Sequence, residues 1–192
     1  MRWVGCAGLM IVVGLLGGCG VLSPVSQPRE VRFSLSEPQQ RLVRGSYRAK
    51  TKRVLLVSHI MPAPGFDTTR MLYERTPLHV RAYAYHAWMA PPADMLLPIV
   101  ADALRETRFF SAVVAAPFQG VSDYTLSLHL LALQQDFSTA VSVERLEVDA
   151  VLLSAKTHRV MAERVFNVAV PALGNDPYSG VLAANQCAAT MA

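Results

Sequence analysis

The chain has 192 residues, 52% of them hydrophobic and 17% charged, with a formal net charge of +4. That length supports one domain with a sizeable core and calls for no second one. Its three cysteines, Cys6, Cys19 and Cys187, are too few for a disulfide-stapled scaffold.

Arg2 gives the chain a positive tip, and Val4 to Leu16 is an almost unbroken apolar run ending in Leu16-Gly17-Gly18-Cys19. A positive start, a short apolar core and small residues before a cut mark a secretory signal. The run is shorter than the ~20 residues a helix needs to cross ~30 Å of hydrocarbon. A Leu three places before a Cys, with two glycines between, resembles a lipobox, the signal of bacterial prolipoproteins. On that reading residues 1–18 are removed as a signal peptide, and the Cys19 thiol and its new amino terminus are acylated. The alternative is a secreted protein with an incidental Cys. Several acyl chains on one residue anchor a protein stably, where a single chain binds only marginally. Removing 18 of the 192 residues leaves 174, with 17 basic and 14 acidic side chains. Cys187 is then the remaining thiol, set among alanines, and it reads as a buried structural one.

Residues 19–31 hold Ser, Pro and Gln without periodicity and read as the lipidated N-terminus and a tether. The folded domain is expected over 32–192, opening with a short strand at Phe33-Ser34-Leu35. Arg41 to Arg53 carries Arg41, Arg44, Arg48, Lys50, Lys52 and Arg53 and no acidic residue. This segment reads as a solvated loop, with contact to anionic head groups as the alternative. Export and the lack of a recognisable binding fold argue against nucleic acid as a partner.

Arg53 to Ile60 is a β-rich apolar run, expected as a central strand covered on both faces and ended by Pro62 and Pro64. Met71 to Glu74 and Leu78 to Tyr83 read as two short strands turned by Thr76-Pro77. Met95, Leu96, Ile99, Val100, Ala103 and Leu104 recur at helical spacing, which predicts a helix over 93–107 with Asp94 as its cap. A strand follows at Ser111 to Ala115. Leu126, Leu128 and Leu130 alternate with polar neighbours; so do Leu146, Val148, Ala150 and Leu152, and then Phe166, Val168 and Val170. With a hairpin at Lys156 to Arg159, these predict an antiparallel meander with one wet face. Asp176-Pro177 signals a second helix that runs through Val181 to Ala192. The expectation is a single α+β domain: a mixed, mostly antiparallel sheet with two main helices packed on it.

No constellation for catalysis assembles. There is no Gly-x-Ser-x-Gly elbow, His-Glu-x-x-His pair or phosphate-cradling glycine loop. His59, His79, His86, His129 and His158 lie in different elements without metal-ligand spacing, and no cofactor is called for. Tyr73, Tyr83, Tyr85 and Trp88 cluster around the middle strands. Such residues are enriched in binding surfaces and are equally at home in cores.

The order of these features resembles a known family. It runs from the lipobox to Phe33-Ser34-Leu35, then Pro62 and Pro64, Gly65-Phe66-Asp67 and Arg70-Met71-Leu72-Tyr73. His86-Ala87-Trp88-Met89-Ala90-Pro91-Pro92, Phe109-Phe110-Ser111-Ala112-Val113 and Asp123-Tyr124-Thr125-Leu126 complete the set. Over about residues 19–192 it is similar to the ABC-type transport auxiliary lipoproteins, the PqiC-like family that accompanies MCE lipid transport systems. The resemblance implies a non-catalytic component on the periplasmic face of the outer membrane, where Gly20 after Cys19 fits outer-membrane sorting. The implied partners are an MCE-domain protein and ABC transporter subunits, with self-association into rings. Arg70, Tyr73, Tyr83 and Trp88 are the candidate contacts for partner or lipid. A lipoprotein activator of a cell-wall synthase and a periplasmic hydrolase are the alternatives. Lys156-Thr157-His158-Arg159, the tail ending at Ala192 and the basic Arg41 to Arg53 segment depart from the family pattern.

Overall fold

The computed structural model describes residues 28–36 and 49–192. The signal segment, Cys19, most of the tether and Arg41, Arg44 and Arg48 lie outside the described residues.

In chain order the elements are β1 (Val31–Phe33), β2 (Val54–Val57), β3 (Met61–Pro62), β4 (Arg70–Glu74) and β5 (Val80–Trp88). Then come α1 (Pro92–Glu106), β6 (Ala112–Ala115), β7 (Tyr124–Asp136), β8 (Val143–Ser154), β9 (Val160–Pro171) and α2 (Pro177–Met191). Thr76 and Pro77 make the expected turn, with the His79 amide donating to the Thr76 carbonyl at 3.0 Å. The strand after it runs nine residues to Trp88 rather than ending at Tyr83.

The long strand β7 organises the sheet. Along one edge lie β2, β3 and β4 in succession, each parallel to it. Along the other edge β8 pairs antiparallel over its whole length, and β9 pairs with β8. Beyond β2 lies β6, parallel; beyond β4 lie β5, antiparallel, and then β1, parallel to β5. The sheet is therefore mixed, and the expectation of a mostly antiparallel one is corrected. The meander of β7, β8 and β9 is as read. The first strands reach β7 only after the chain has crossed over through α1, and a crossover delivers parallel pairing.

Two local readings also change. The run from Arg53 forms a strand only over Val54–Val57, with Leu55 and Val57 buried and its other face half-covered. Pro62 does not end pairing, because β3 still bonds to β7, where a strand can tolerate a missing amide donor. Helix α1 starts at Pro92 after Pro91, with no side-chain cap; Asp94 sits within its first turn instead. Asp176 does cap α2, accepting from the Ser179 amide at 3.0 Å.

One face of the sheet carries both helices. Leu55, Leu96, Leu130 and Leu146 are essentially fully buried between the layers, each worth ~2 kcal/mol of transfer free energy. A bulge at Leu131 decides what else points inward. Before it Leu128 and Leu130 are buried, and after it Leu133 and Gln135 are. The extra residue shifts the alternation by one and sends a glutamine under α2.

Candidate functional site

The inner face divides into two ends. At the Asp136 end of β7 it is polar. The Tyr83 hydroxyl donates to Gln135 Oε1 at 2.8 Å, and Gln135 Nε2 donates to Ser142 Oγ at 2.8 Å and to the Asp176 carbonyl at 3.3 Å. Ser142 Oγ donates on to the Gly174 carbonyl at 3.2 Å. Helix α2 comes down on this network at Gly180, where a Cβ would lie 2.3 Å from Gln135 Oε1. Only a residue without a side chain allows that approach. Ser179 donates through both its amide and its hydroxyl to the Asp176 carboxylate, holding it below the usual carboxylate range.

Glu144 is the cross-strand partner of Gln135 and is only 4% exposed. Burial pushes its carboxyl well above the ordinary glutamate value, because a desolvated carboxylate favours its neutral form. Cys187, fully buried on α2, donates its thiol to the Glu144 carbonyl at 3.5 Å. Burial, with the Glu144 charge second, raises that thiol to about 12, so it stays protonated and inert as a nucleophile. Tyr83 is likewise pushed up, by burial first and the Glu144 charge next.

The aromatic residues of this end form a half-exposed band. Tyr73 and Tyr83 pack with ring centroids 4.6 Å apart, and Phe137 meets Tyr73 edge-on at 6.0 Å. Arg75 lies over both Tyr73 and Phe137, at 5.8 and 5.3 Å, in cation–π range. On the other side Tyr83 meets His86, His86 stacks on Phe33 and Phe33 touches Tyr178.

At the opposite end the inner face is apolar. Val100 and Leu104 of α1, Leu128, Leu152, Phe166 and Met191 of α2 are among the residues that line an open cavity of about 230 Å³. Arg164 lies over the Phe166 ring at 4.9 Å, at the edge of this groove.

The structure brings together only two of the four candidate contacts. Tyr73 and Tyr83 share the aromatic band. Trp88 is 2% exposed and belongs to the core, so it presents no surface to a partner in this structure. Arg70 is exposed at the start of β4, whereas Met71 is buried and Tyr73 half-buried one and three residues on, which sets Arg70 on the other face. Arg75, Phe137, Gln135, Ser142 and Glu144 escaped the sequence reading. Among the described residues no group of His, Cys, Asp or Glu side chains gathers to hold a metal. No helix among them is long and apolar enough to cross a membrane.

Comparison with known proteins places this geometry. Residues 33–192 match the family model for the ABC-type transport auxiliary lipoprotein component. A Xanthomonas campestris protein of known structure is similar at 24% identity and a TM-score of 0.71, over 83% of this chain and 89% of that one. A second solved structure, of an uncharacterised protein, aligns at 12% identity and a TM-score of 0.63, over 85% of this chain and 94% of that one. PelC from Paraburkholderia phytofirmans, solved as a dodecamer, is more distant: 18% identity and a TM-score of 0.45, over 77% of this chain and 88% of that one. Among curated proteins none matches the chain significantly.

Proposed function

Because the chain belongs to the family of ABC-type transport auxiliary lipoprotein components, we propose that it is the outer-membrane, periplasm-facing auxiliary part of an MCE-type lipid transport system. The observation that carries this reading is the family match over 33–192, essentially the whole domain expected from the sequence. On this reading residues 1–18 are a signal peptide, Cys19 carries the lipid anchor and 19–31 form the tether. The protein works through surfaces, without bond chemistry of its own.

The geometry supports a protein-facing role for the aromatic band. Tyr73, Tyr83 and Phe137 are rigid, part-exposed rings, and Arg75 lies across two of them. Rings of this kind present contact area at low entropic cost beside an arginine able to bond outward. They rest on Gln135, whose side chain is itself fixed by Ser142 and the Asp176 carbonyl. We assign Tyr73, Tyr83 and Arg75 to the contact with an MCE-domain protein or its ABC transporter subunits, and leave Trp88 in the core.

The test is a crosslinked pull-down of the full-length lipoprotein from native envelopes, with mass spectrometry of the partners. Recovery of an MCE protein or ABC transporter subunits, lost on Tyr73→Ala or Arg75→Ala, is the expected result. Recovery of a cell-wall synthase with no MCE protein overturns it. Radiolabelled palmitate incorporation that disappears in Cys19→Ser, with membrane fractionation on a density gradient, tests the anchor and its membrane separately.

A further inference from the structure

Two basic features of the sequence, the Lys50 to Arg53 stretch and the Lys156 to Arg159 hairpin, are far apart in the chain and adjacent in the fold. The Lys50 amide donates to the Arg108 carbonyl at 3.1 Å, and the Thr51 amide to the Phe109 carbonyl at 2.9 Å. Arg53 Nη1 holds Asp123 Oδ1 at 2.7 Å. The Asp123 carbonyl in turn accepts the Ala155 amide at 2.9 Å, where the β8–β9 hairpin begins. One continuous hydrogen-bond network therefore gathers Lys50, Lys52, Arg53, Lys156 and Arg159, all exposed, at the Tyr124 end of β7. Asp123 sits among them, its carboxyl kept low by the Val54 amide and then by Arg53, which engages it.

Exposed apolar side chains sit beside these cations. Phe109 is adjacent to Thr51, Val160 follows Arg159 directly, and Val121, 92% exposed, lies two residues before Asp123. Val160 opens β9, and Phe109 and Val121 lie in loops before β6 and β7. An end of a sheet whose tips alternate cations with exposed apolar side chains matches a bilayer interface. Lysines and arginines can lie at the phosphate level there while the apolar tips enter just below it. A solvated loop would account for the charge and would leave these apolar tips unexplained.

We infer that this end of the domain docks on the anionic head groups of the bilayer that carries the chain's own anchor. The inference rests on the Cys19 anchor proposed above. The tether enters at Val31, which pairs with His86 on the flank nearer the opposite end of β7. From Cys19 to Val31 the covalent chain reaches at most ~40 Å, which is about the length of the 13-residue β7. The chain is thus long enough for the domain to lie on its own membrane with the basic end down.

The experiment uses the full-length lipoprotein reconstituted through its anchor into phosphatidylcholine vesicles, with or without phosphatidylglycerol. A fluorescent probe is placed on Val121→Cys, with the buried Cys187 leaving that position as the reactive thiol, and doxyl lipids serve as the bilayer quencher. Quenching is expected to rise when phosphatidylglycerol is present and to be abolished by high salt. Replacing Lys50, Lys52, Lys156 and Arg159 by Gln should weaken docking by about fivefold per cation. A probe on Leu78→Cys, on the β4–β5 turn at the other end of the sheet and 99% exposed, should stay unquenched. An anchored chain whose Val121 probe is unquenched in anionic bilayers overturns the inference. So does equal quenching at Leu78, or crosslinking of the Val121 position to an acidic envelope protein in place of quenching. A failure of the anchor itself shows differently, as protein lost from the vesicle fraction.

Discussion

The two ends of the inner face are built from the same strands and covered by the same helix, yet they are held by opposite means. Under the start of α2, Tyr83, Gln135 and Ser142 are locked by directed hydrogen bonds and Gly180 lets the helix sit directly on them. Under its end, Phe166, Leu152 and Met191 surround an open, mainly apolar space with Arg164 at its edge. The first end is exact and intolerant of change, because each buried donor must find its acceptor. The second is loose, because dispersion contacts are non-directional and the space is unfilled. The aromatic band proposed to meet a partner therefore rests on the rigid end, where its ring positions are fixed.

This contrast can be broken most severely at Gln135. Gln135→Ala should cost about 3 kcal/mol in urea unfolding, since it strands the part-buried Tyr83 hydroxyl and the buried Ser142 and opens a void. A loss below about 1 kcal/mol would mean that the network does not hold this end. Restoring the amide alone, as Asn, should recover little, because the shorter side chain cannot span to both partners.

Glu144 makes the polar end sensitive to pH. Its folded pKa is raised by burial. Below the ordinary glutamate range both states keep the proton, so its contribution is fully present. As pH rises through that range the unfolded chain releases the proton first, and stability falls until the raised folded pKa is reached. Glu144→Gln should flatten this decline and be more stable than the parent at neutral pH. Unfolding curves collected from acid to neutral pH check it, and an unchanged slope would remove Glu144 as the cause.

Smaller effects distinguish the ends further. Asp176→Ala removes the α2 cap and should cost about 1 kcal/mol, with the Tyr83–Gln135 end loosening first in amide exchange. In the apolar groove, Ala162→Leu should be neutral or stabilise by roughly 0.5–1 kcal/mol, because it fills space already present. Destabilisation there would show that the groove is closed in solution. The smallest expected signal is at Cys187. Buried and with its thiol raised to about 12, it should resist iodoacetamide at neutral pH in the folded protein and react only on unfolding.

Much of this was legible in the residues, and what was not has identifiable causes. The alternation of Leu146, Val148, Ala150 and Leu152, carried one step back, already puts Glu144 inward, so that signal was present and unused. Gln135 was hidden by the bulge at Leu131, since unbroken alternation from Leu126 would have turned it outward. Trp88 was a candidate contact and is core in the structure, because β5 continues five residues beyond Tyr83 and carries it into the buried cluster. Helix α1 began two residues before Asp94, as proline at the first helical position needs no amide partner.

The amino-acid sequence by itself determined the elements: α1 from apolar spacing at 3.6, the start of α2 from Asp176-Pro177, the β7–β9 meander from alternation, and the turn at Thr76-Pro77. These are local, set by which side chains neighbour one another along a few residues. Only the tertiary structure decided that β2, β3 and β4 line up parallel on one edge of β7, and that Tyr73, Tyr83 and Gln135 meet. The tertiary structure alone also joined Lys50 to Arg53 with the Lys156 to Arg159 hairpin. Those are pairings between segments tens of residues apart, and no local periodicity encodes which distant edge a strand will find.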